Sequence, residues 1–321
     1  AVDAQAATLV RRLADPLLDA RLAFSRGMNH ANVLRAGPAR TLLDEAERIL
    51  VERCRAPWYD LALVRYWAVQ ILVLGDAWDE IDRRLPRYLA DARAHGDVFA
   101  VVDCTLQSSR GLIARGDLVG AKALLDDARA RWSKRAGYQS MHFIAMYYDA
   151  FIALAEGRPK EAFRRVDDDF PAMKRTQLLR ANAYFQNAHW MHALCALACA
   201  RSLLATSPSE SRSYAAVART DARRIRRQHA WGDGRASYIE AALAHQSGDV
   251  DTALVGLERA SAALDAVEQP IATAFTRRRL GQLLGGARGT SLQAAAEDAL
   301  RARGVYDADV VGRVLGAGFD L

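Results

Sequence analysis

Two histidines and two cysteines crowd one short stretch of the chain, His189-Trp190-Met191-His192-Ala193-Leu194-Cys195-Ala196-Leu197-Ala198-Cys199. Both residue types are zinc ligands, and spacings of 3, 3 and 4 put all four on one broad helix face. The length of that face argues against a four-ligand centre. Ten residues of helix extend ~15 Å, whereas tetrahedral zinc holds each donor at ~2.0–2.3 Å. A metal on His189 and His192 therefore needs ligands from another helix. Without them, the cysteines face a neighbouring helix and the histidines lie near a groove. No metal and no cofactor is expected.

Polar side chains recur at helical spacing in two more places. Asn182, Gln186 and His189 form one stripe, and Asp103, Gln107 and Arg110 form another. Amides and guanidinium groups can read an extended backbone or a carboxylate; the plain alternative is a solvated helix face. Arg219, Arg223 and Arg227 share a face at i, i+4, i+8, in a run that also holds Arg224 and Arg226 and only one acid, Asp221. A helix of this kind can track phosphates, although charge runs are commonly outer, solvated faces. Arg277-Arg278-Arg279 reads the same way. Asp167-Asp168-Asp169 lacks the ligand spacing and the glycine of a calcium loop. The signatures of phosphate-binding loops, zinc proteases, serine hydrolases and protein kinases are all missing. No catalytic residue is assigned, and the chain is expected not to be an enzyme.

The elements that must position these residues are helices. The chain has 321 residues, 51% of them hydrophobic and 26% charged, with abundant alanine and only 8 prolines. Alanine costs least in a helix and proline costs ~3 kcal/mol in its interior. The formal charge of +6 comes almost wholly from arginine and does not by itself point to nucleic acid. The four cysteines, Cys54, Cys104, Cys195 and Cys199, sit in apolar helical contexts and read as reduced, buried thiols. No apolar run approaches the ~18 residues of a membrane span, and no signal-peptide pattern opens the chain. A cytoplasmic location without membrane contact is expected. Leu9, Leu13, Leu17 and Leu18 already recur at helical spacing behind Ala1, which suggests a chain cut from a longer polypeptide.

Turn signals recur at Gly75-Asp76, Gly116-Asp117, Gly157-Arg158, Gly248-Asp249 and Gly285-Gly286, at intervals of 41, 41, 91 and 37 residues. The long interval holds a less regular unit, with a helix from Tyr184 to Leu204, a break at Thr206-Ser207-Pro208-Ser209 and a helix from Ser211 to Gln228. Gly37-Pro38 marks the first turn. About seven helix pairs result, with units at 1–56, 57–96, 97–136, 137–174, 175–230, 231–269 and 270–304 and a tail at 305–321. Small residues hold fixed offsets: Ala68, Ser109, Ala150 and Ala241 seven before the turn glycine, Ala121, Ala162 and Ala253 five after it. Helices that cross closely need small side chains at the crossing. Ala128 and Ala260 stand twelve after the turn glycine; Glu80 at the earlier of these positions, five after it, in the second unit and Asp169 at the later one in the fourth break the pattern.

The runs from Gly111 to Ala121 and from Ala242 to Ala253 resemble tetratricopeptide repeats. Their period near 41 exceeds the ~34 of that family, so longer helices are expected. The resemblance implies an all-α, right-handed superhelical solenoid whose first helices line a concave face. On that face it implies a partner-binding groove formed by Asp103, Gln107, Arg110, Tyr147, Tyr148, Asn182, Tyr184, Gln186 and His189. The last unit, with Arg279-Leu280-Gly281, Gly304-Val305 and the closing Leu315-Gly316-Ala317-Gly318-Phe319, is similar to the C-terminal end of large bacterial Ser/Thr protein kinases; related arrays close nucleotide-switch transcription activators. This implies a non-catalytic scaffold or sensor, with a protein or peptide partner that includes upstream domains of the same polypeptide. Two other readings stand beside it: a small-molecule or peptide sensor, and, less favoured, a nucleic-acid binder acting through Arg219, Arg223 and Arg227.

Overall fold

The computed structural model describes residues 2–55, 57–132 and 137–319. They form sixteen α-helices and two short 3₁₀ turns, with no strand among the described residues. Helix α1 (Val2–Leu13) precedes seven hairpins: α2 (Pro16–Asn32) with α3 (Ala36–Arg53), α4 (Trp58–Leu74) with α5 (Trp78–Ala94), α6 (Val98–Ala114) with α7 (Leu118–Trp132), α8 (Ser140–Ala155) with α9 (Pro159–Arg175), α10 (Asn182–Leu203) with α11 (Pro208–Gln228), α12 (Asp233–Gln246) with α13 (Val250–Ala266), and α14 (Pro270–Leu284) with α15 (Gly286–Arg301). A short helix α16 (Ala308–Leu315) ends the described chain. From α1 through α15 each helix packs on the next, so the fold is an all-α helical-repeat solenoid.

The hairpin turns follow from local chemistry. Gly116, Gly157 and Gly248 take the left-handed conformation (φ +81°, +76° and +86°), where a Cβ is costly. Asp117 and Asp249, next in sequence to the first and last of these, cap the following helices by accepting from the free amides of Gly120 and Thr252; Asp97 and Asp307 do the same for α6 and α16. Two turns depart from the sequence-based register. In the second unit Asp76 takes the left-handed position (φ +53°), while Gly75 stays right-handed. The unit is thereby shifted by one residue. Ile81, fully buried, fills the place expected of a small side chain at Glu80, which pairs with Arg40, Arg83 and Arg84 instead. In the first unit the turn lies at Leu34 (φ +58°), and Gly37-Pro38 falls in the first turn of α3. Proline is tolerated there because those amides lack intrahelical acceptors.

The first helices of the central hairpins, α6, α8 and α10, are enclosed almost all round, whereas α2 and second helices such as α7 and α13 bury one stripe. Small residues sit at the crossings: Ala121, Ala150, Ala162, Ala188 and Ala253 are fully buried. At the α14–α15 crossing a Cβ on Gly281 would stand 2.7 Å from the carbonyl oxygen of Gly289, so the two backbones touch.

The array turns far enough to meet itself. Asn182 Nδ2 donates to the Asn32 carbonyl at 2.9 Å, the Gly37 amide to Glu268 at 3.3 Å, and the Asp79 amide to the Arg303 carbonyl at 3.2 Å. Trp231 packs beneath α2 to α4 with Ala31, Leu34 and Ile71. Asp76 Oδ2 accepts from the amides of Ile271 and Ala272 at 3.1 and 3.3 Å, capping the start of α14 from the opposite end of the array. Helix α16 then lies inside, against α6, α8, α10 and α14. Arg279, expected on an outer basic face, is 2% exposed. It donates to the carbonyls of Gly316 and Gly312 at 3.1 and 3.2 Å, so neutral carbonyls of the C-terminal segment solvate its charge. Tyr238 and Gln246 donate to Ala317 and Gly318, and Arg313 to Ala155.

Candidate functional site

The first helices converge on a cavity of about 120 Å³ at the centre of the closed array. Helix α4 contributes Trp67 and Gln70, its following turn Asp76, and α5 Trp78. Helix α6 adds Gln107 and Arg110, and α8 adds Phe143, Tyr147 and Tyr148. Tyr184, Asn187 and Trp190 come from α10, Arg235 from α12, Gln269 and Ala272 from the start of α14, and Leu315 from α16. Aromatic walls and a few convergent polar groups are the usual make-up of a small-molecule site.

The polar groups are tied to one another. Arg110 Nε donates to the Tyr148 hydroxyl at 2.9 Å, which in turn donates to Gln107 Oε1 at 2.8 Å. The Arg110 guanidinium lies 5.0 Å from the Trp78 ring and 5.5 Å from that of Tyr148, within cation–π range. Across the cavity, Arg235 donates to Gln269 Oε1 at 3.2 Å and Asn187 Oδ1 at 2.9 Å, and it stacks 4.1 Å from the Trp231 ring. Burial pulls the Arg235 guanidinium down to about 10. Burial likewise raises the Asp76 carboxyl above its ordinary range, against the pull of the α14 amides and the two arginines. Trp78 Nε1 and Gln269 Nε2 are buried donors with no acceptor.

Of the residues singled out in the sequence, Gln107, Arg110, Tyr147, Tyr148 and Tyr184 line this cavity. Asp103 lies just behind it, 2% exposed, accepting from Gln70 at 3.3 Å; burial pushes its carboxyl up to about 7 against the opposing bonds of Gln107 and Gln70. Asn182, Gln186 and His189 do form a stripe, but it faces α11 and the seam. Asn182 bonds Asn32 and Gln228, Gln186 donates to the Ile225 carbonyl, and His189 bonds Asp221. The opposite face of α10 carries Tyr184, Asn187 and Trp190 into the cavity, so the large aromatics rather than the polar stripe mark the inner side.

His189 and His192 share one buried carboxylate, each through Nδ1 at 2.7 Å from an oxygen of Asp221. Burial opposes ionisation of Asp221 most strongly, yet the two histidine bonds hold it below the ordinary carboxylate range. Phe163, Phe170 and Phe185 pack on the rings. Cys195 and Cys199 are buried thiols, and burial raises both. Among the described residues no three His, Cys, Asp or Glu side chains gather as metal ligands, and no helix is long and apolar enough to cross a membrane. Arg219, Arg223 and Arg227 are exposed on α11, and among the described residues none of them pairs with an acid; Arg224 and Arg226 pair with Asp221 and Glu240.

Asp76, Trp78, Asn187, Trp190, Arg235 and Gln269 were not singled out in the sequence as site residues. A lone arginine inside the small-residue window Gly234-Arg235-Ala236-Ser237 is the one signal that was available. A scan against protein-family models finds no match for this chain, and neither does a search of curated proteins.

Proposed function

We propose that the chain is a non-catalytic, tetratricopeptide-like sensor module in which a small molecule occupies the central cavity and fixes the closed form of the array. The observation that carries this reading is the position of the cavity. Side chains from α4, α5, α6, α8, α10, α12, α14 and α16 meet there, so one ligand touches most of the units and the C-terminal helix at once. A ligand that binds only the closed array stabilises it by RT ln(1 + [L]/Kd), about 2.7 kcal/mol at a hundredfold excess over Kd. A protein partner, upstream domains of the same polypeptide included, would then read whether α16 is seated.

The sensor reading is favoured over a peptide groove because α16 already occupies the inner face beside the cavity. A partner segment would first have to displace the contacts that Arg279, Tyr238 and Gln246 make with residues 312–318. The test is thermal unfolding of the full chain against a metabolite library. Narrowing the cavity by Ala272→Leu should abolish the stabilisation by any hit while the protein still folds. Hits that stabilise this variant equally, or a library without hits alongside tight binding of a peptide, would replace the sensor with the scaffold.

A further inference from the structure

The cavity is built for a particular charge. Its lining holds two cations, Arg110 and Arg235, and one acid, Asp76, whose carboxylate already accepts from two backbone amides. Asp103 stands behind the wall, bonded to Gln70. Among the described residues neither arginine bonds a carboxylate. The bonding partners of Arg110 and Arg235 are the Tyr148 hydroxyl and the side-chain carbonyls of Gln269 and Asn187. Elsewhere in the fold the buried Arg65 pairs with Glu47 and Asp91 at 3.0 and 2.7 Å, while the buried Arg279 is solvated by two backbone carbonyls and Gln282. Buried charges are normally paired, because an uncompensated one costs several kcal/mol.

Two further donors at the same walls point the same way. Trp78 Nε1 and Gln269 Nε2 are both buried and both lack an acceptor, although native folds satisfy nearly all such groups. Trp78 stands beside Arg110, and Gln269 beside Arg235. What the cavity lacks is an anionic acceptor for these donors, since Asp76, its one acid, is engaged by the α14 amides and offsets only one of the two arginines. The rest of its surface is aromatic, with Trp67, Phe143, Tyr147 and Trp190 around it. Its size suits a single ring, since an apolar cavity of ~150 Å³ admits benzene.

On the sensor reading, we infer that the ligand is a small aromatic monoanion, a one-ring carboxylate whose charge lies among Arg110, Arg235, Trp78 and Gln269 while its ring lies on the aromatic walls. The carboxylate accepts the hydrogen bonds that the protein leaves open, and its charge offsets the unmatched guanidinium.

Isothermal titration of the full chain with benzoate and phenylacetate, beside phenylacetamide, phenethylamine and acetate, tests this. The ring acids should bind, the neutral amide about tenfold or more weaker, as befits loss of a charged hydrogen bond, and the amine and acetate weakest. Tryptophan fluorescence should change with the acids, because Trp67, Trp78 and Trp190 face the ligand. Arg235→Gln and Arg110→Gln should each weaken phenylacetate about tenfold and leave phenylacetamide unchanged. The acid-to-amide ratio in the unaltered protein carries the test if either variant fails to fold. Equal affinity for acid and amide, or a preference for the amine, overturns the anion assignment and leaves the sensor intact. Failure of both ring acids while other small molecules stabilise the chain does the same. Failure of every small molecule removes both.

Discussion

Replacing Asp103 by asparagine should stabilise the protein, and by an amount that grows with pH. Asp103 is 2% exposed on α6, with Gln70 and Gln107 as its hydrogen-bonding neighbours. Burial raises its carboxyl from the ordinary 3.8 to about 7 in the fold. Below pH ~4 both folded and unfolded chains carry the proton, and the residue costs nothing. Between pH ~4 and ~7 the unfolded chain ionises first. It then binds fewer protons than the folded chain, so stability falls as pH rises. Above ~7 both are ionised and the penalty is constant. A shift of roughly three units at 1.36 kcal/mol per unit sets this penalty on the order of 4 kcal/mol. Asparagine keeps the shape and removes the charge. Urea unfolding of both proteins from pH 4.5 to 8 should therefore show curves that nearly coincide at the acid end and separate by ~2–4 kcal/mol at pH 8. A difference that stays flat across that range would refute the account of Asp103 as a buried carboxyl held back from ionising.

Four other perturbations follow from particular contacts. Asp76→Ala loses the cap on α14 and leaves a Cβ at positive φ, so it should cost ~1–3 kcal/mol; Asp76→Gly loses only the cap and should cost less, by denaturant midpoint. Arg65→Ala removes one of three partners of the buried Glu47 carboxylate, leaving Arg87 and the Tyr88 hydroxyl, and should cost ~1.5–3 kcal/mol, whereas Arg65→Ala with Glu47→Gln should recover part of it in a double-mutant cycle. Gly281→Ala sets a methyl against the Gly289 carbonyl and should cost ~1–3 kcal/mol and lower the thermal midpoint. If the exposed arginines of α11 bind nucleic acid, Arg219→Ala with Arg223→Ala and Arg227→Ala should flatten a steep salt dependence of affinity; a slope unchanged by the triple variant rules that surface out.

The helical repeat was legible because its signals are local. Small residues, turn glycines and capping aspartates act within a few positions of themselves, and Gly116-Asp117 and Gly248-Asp249 behave as their spacing suggests. The register of the second unit was not legible, because Asp76 serves a helix 195 positions away, and nothing nearby records that. The site was half legible for the same reason. Tyr147, Tyr148, Gln107 and Arg110 were found on helices whose inner face could be guessed. The repeat resemblance implies that Gln186 and His189, a polar stripe on a first helix, face the inner groove. In the fold those groups instead satisfy α11, and the inner side of α10 is marked by Trp190 and Asn187. Polarity says that a side chain needs a partner; it does not say whether solvent, ligand or the adjoining helix provides it.

The seam formed by Asn182 with Asn32, Gly37 with Glu268 and Asp79 with Arg303 has a consequence for how such a chain can change in length. An open array of repeats lengthens or shortens one unit at a time, and each new unit needs only a neighbour. This one has a fixed circumference. An inserted or deleted hairpin would part the two sides of the seam, unseat α16 and dissolve the cavity together, even if every remaining hairpin kept its own packing. The number of units is therefore a property that natural variation cannot drift through gradually. Loops on the outer rim are free to grow, and the count of hairpins is not.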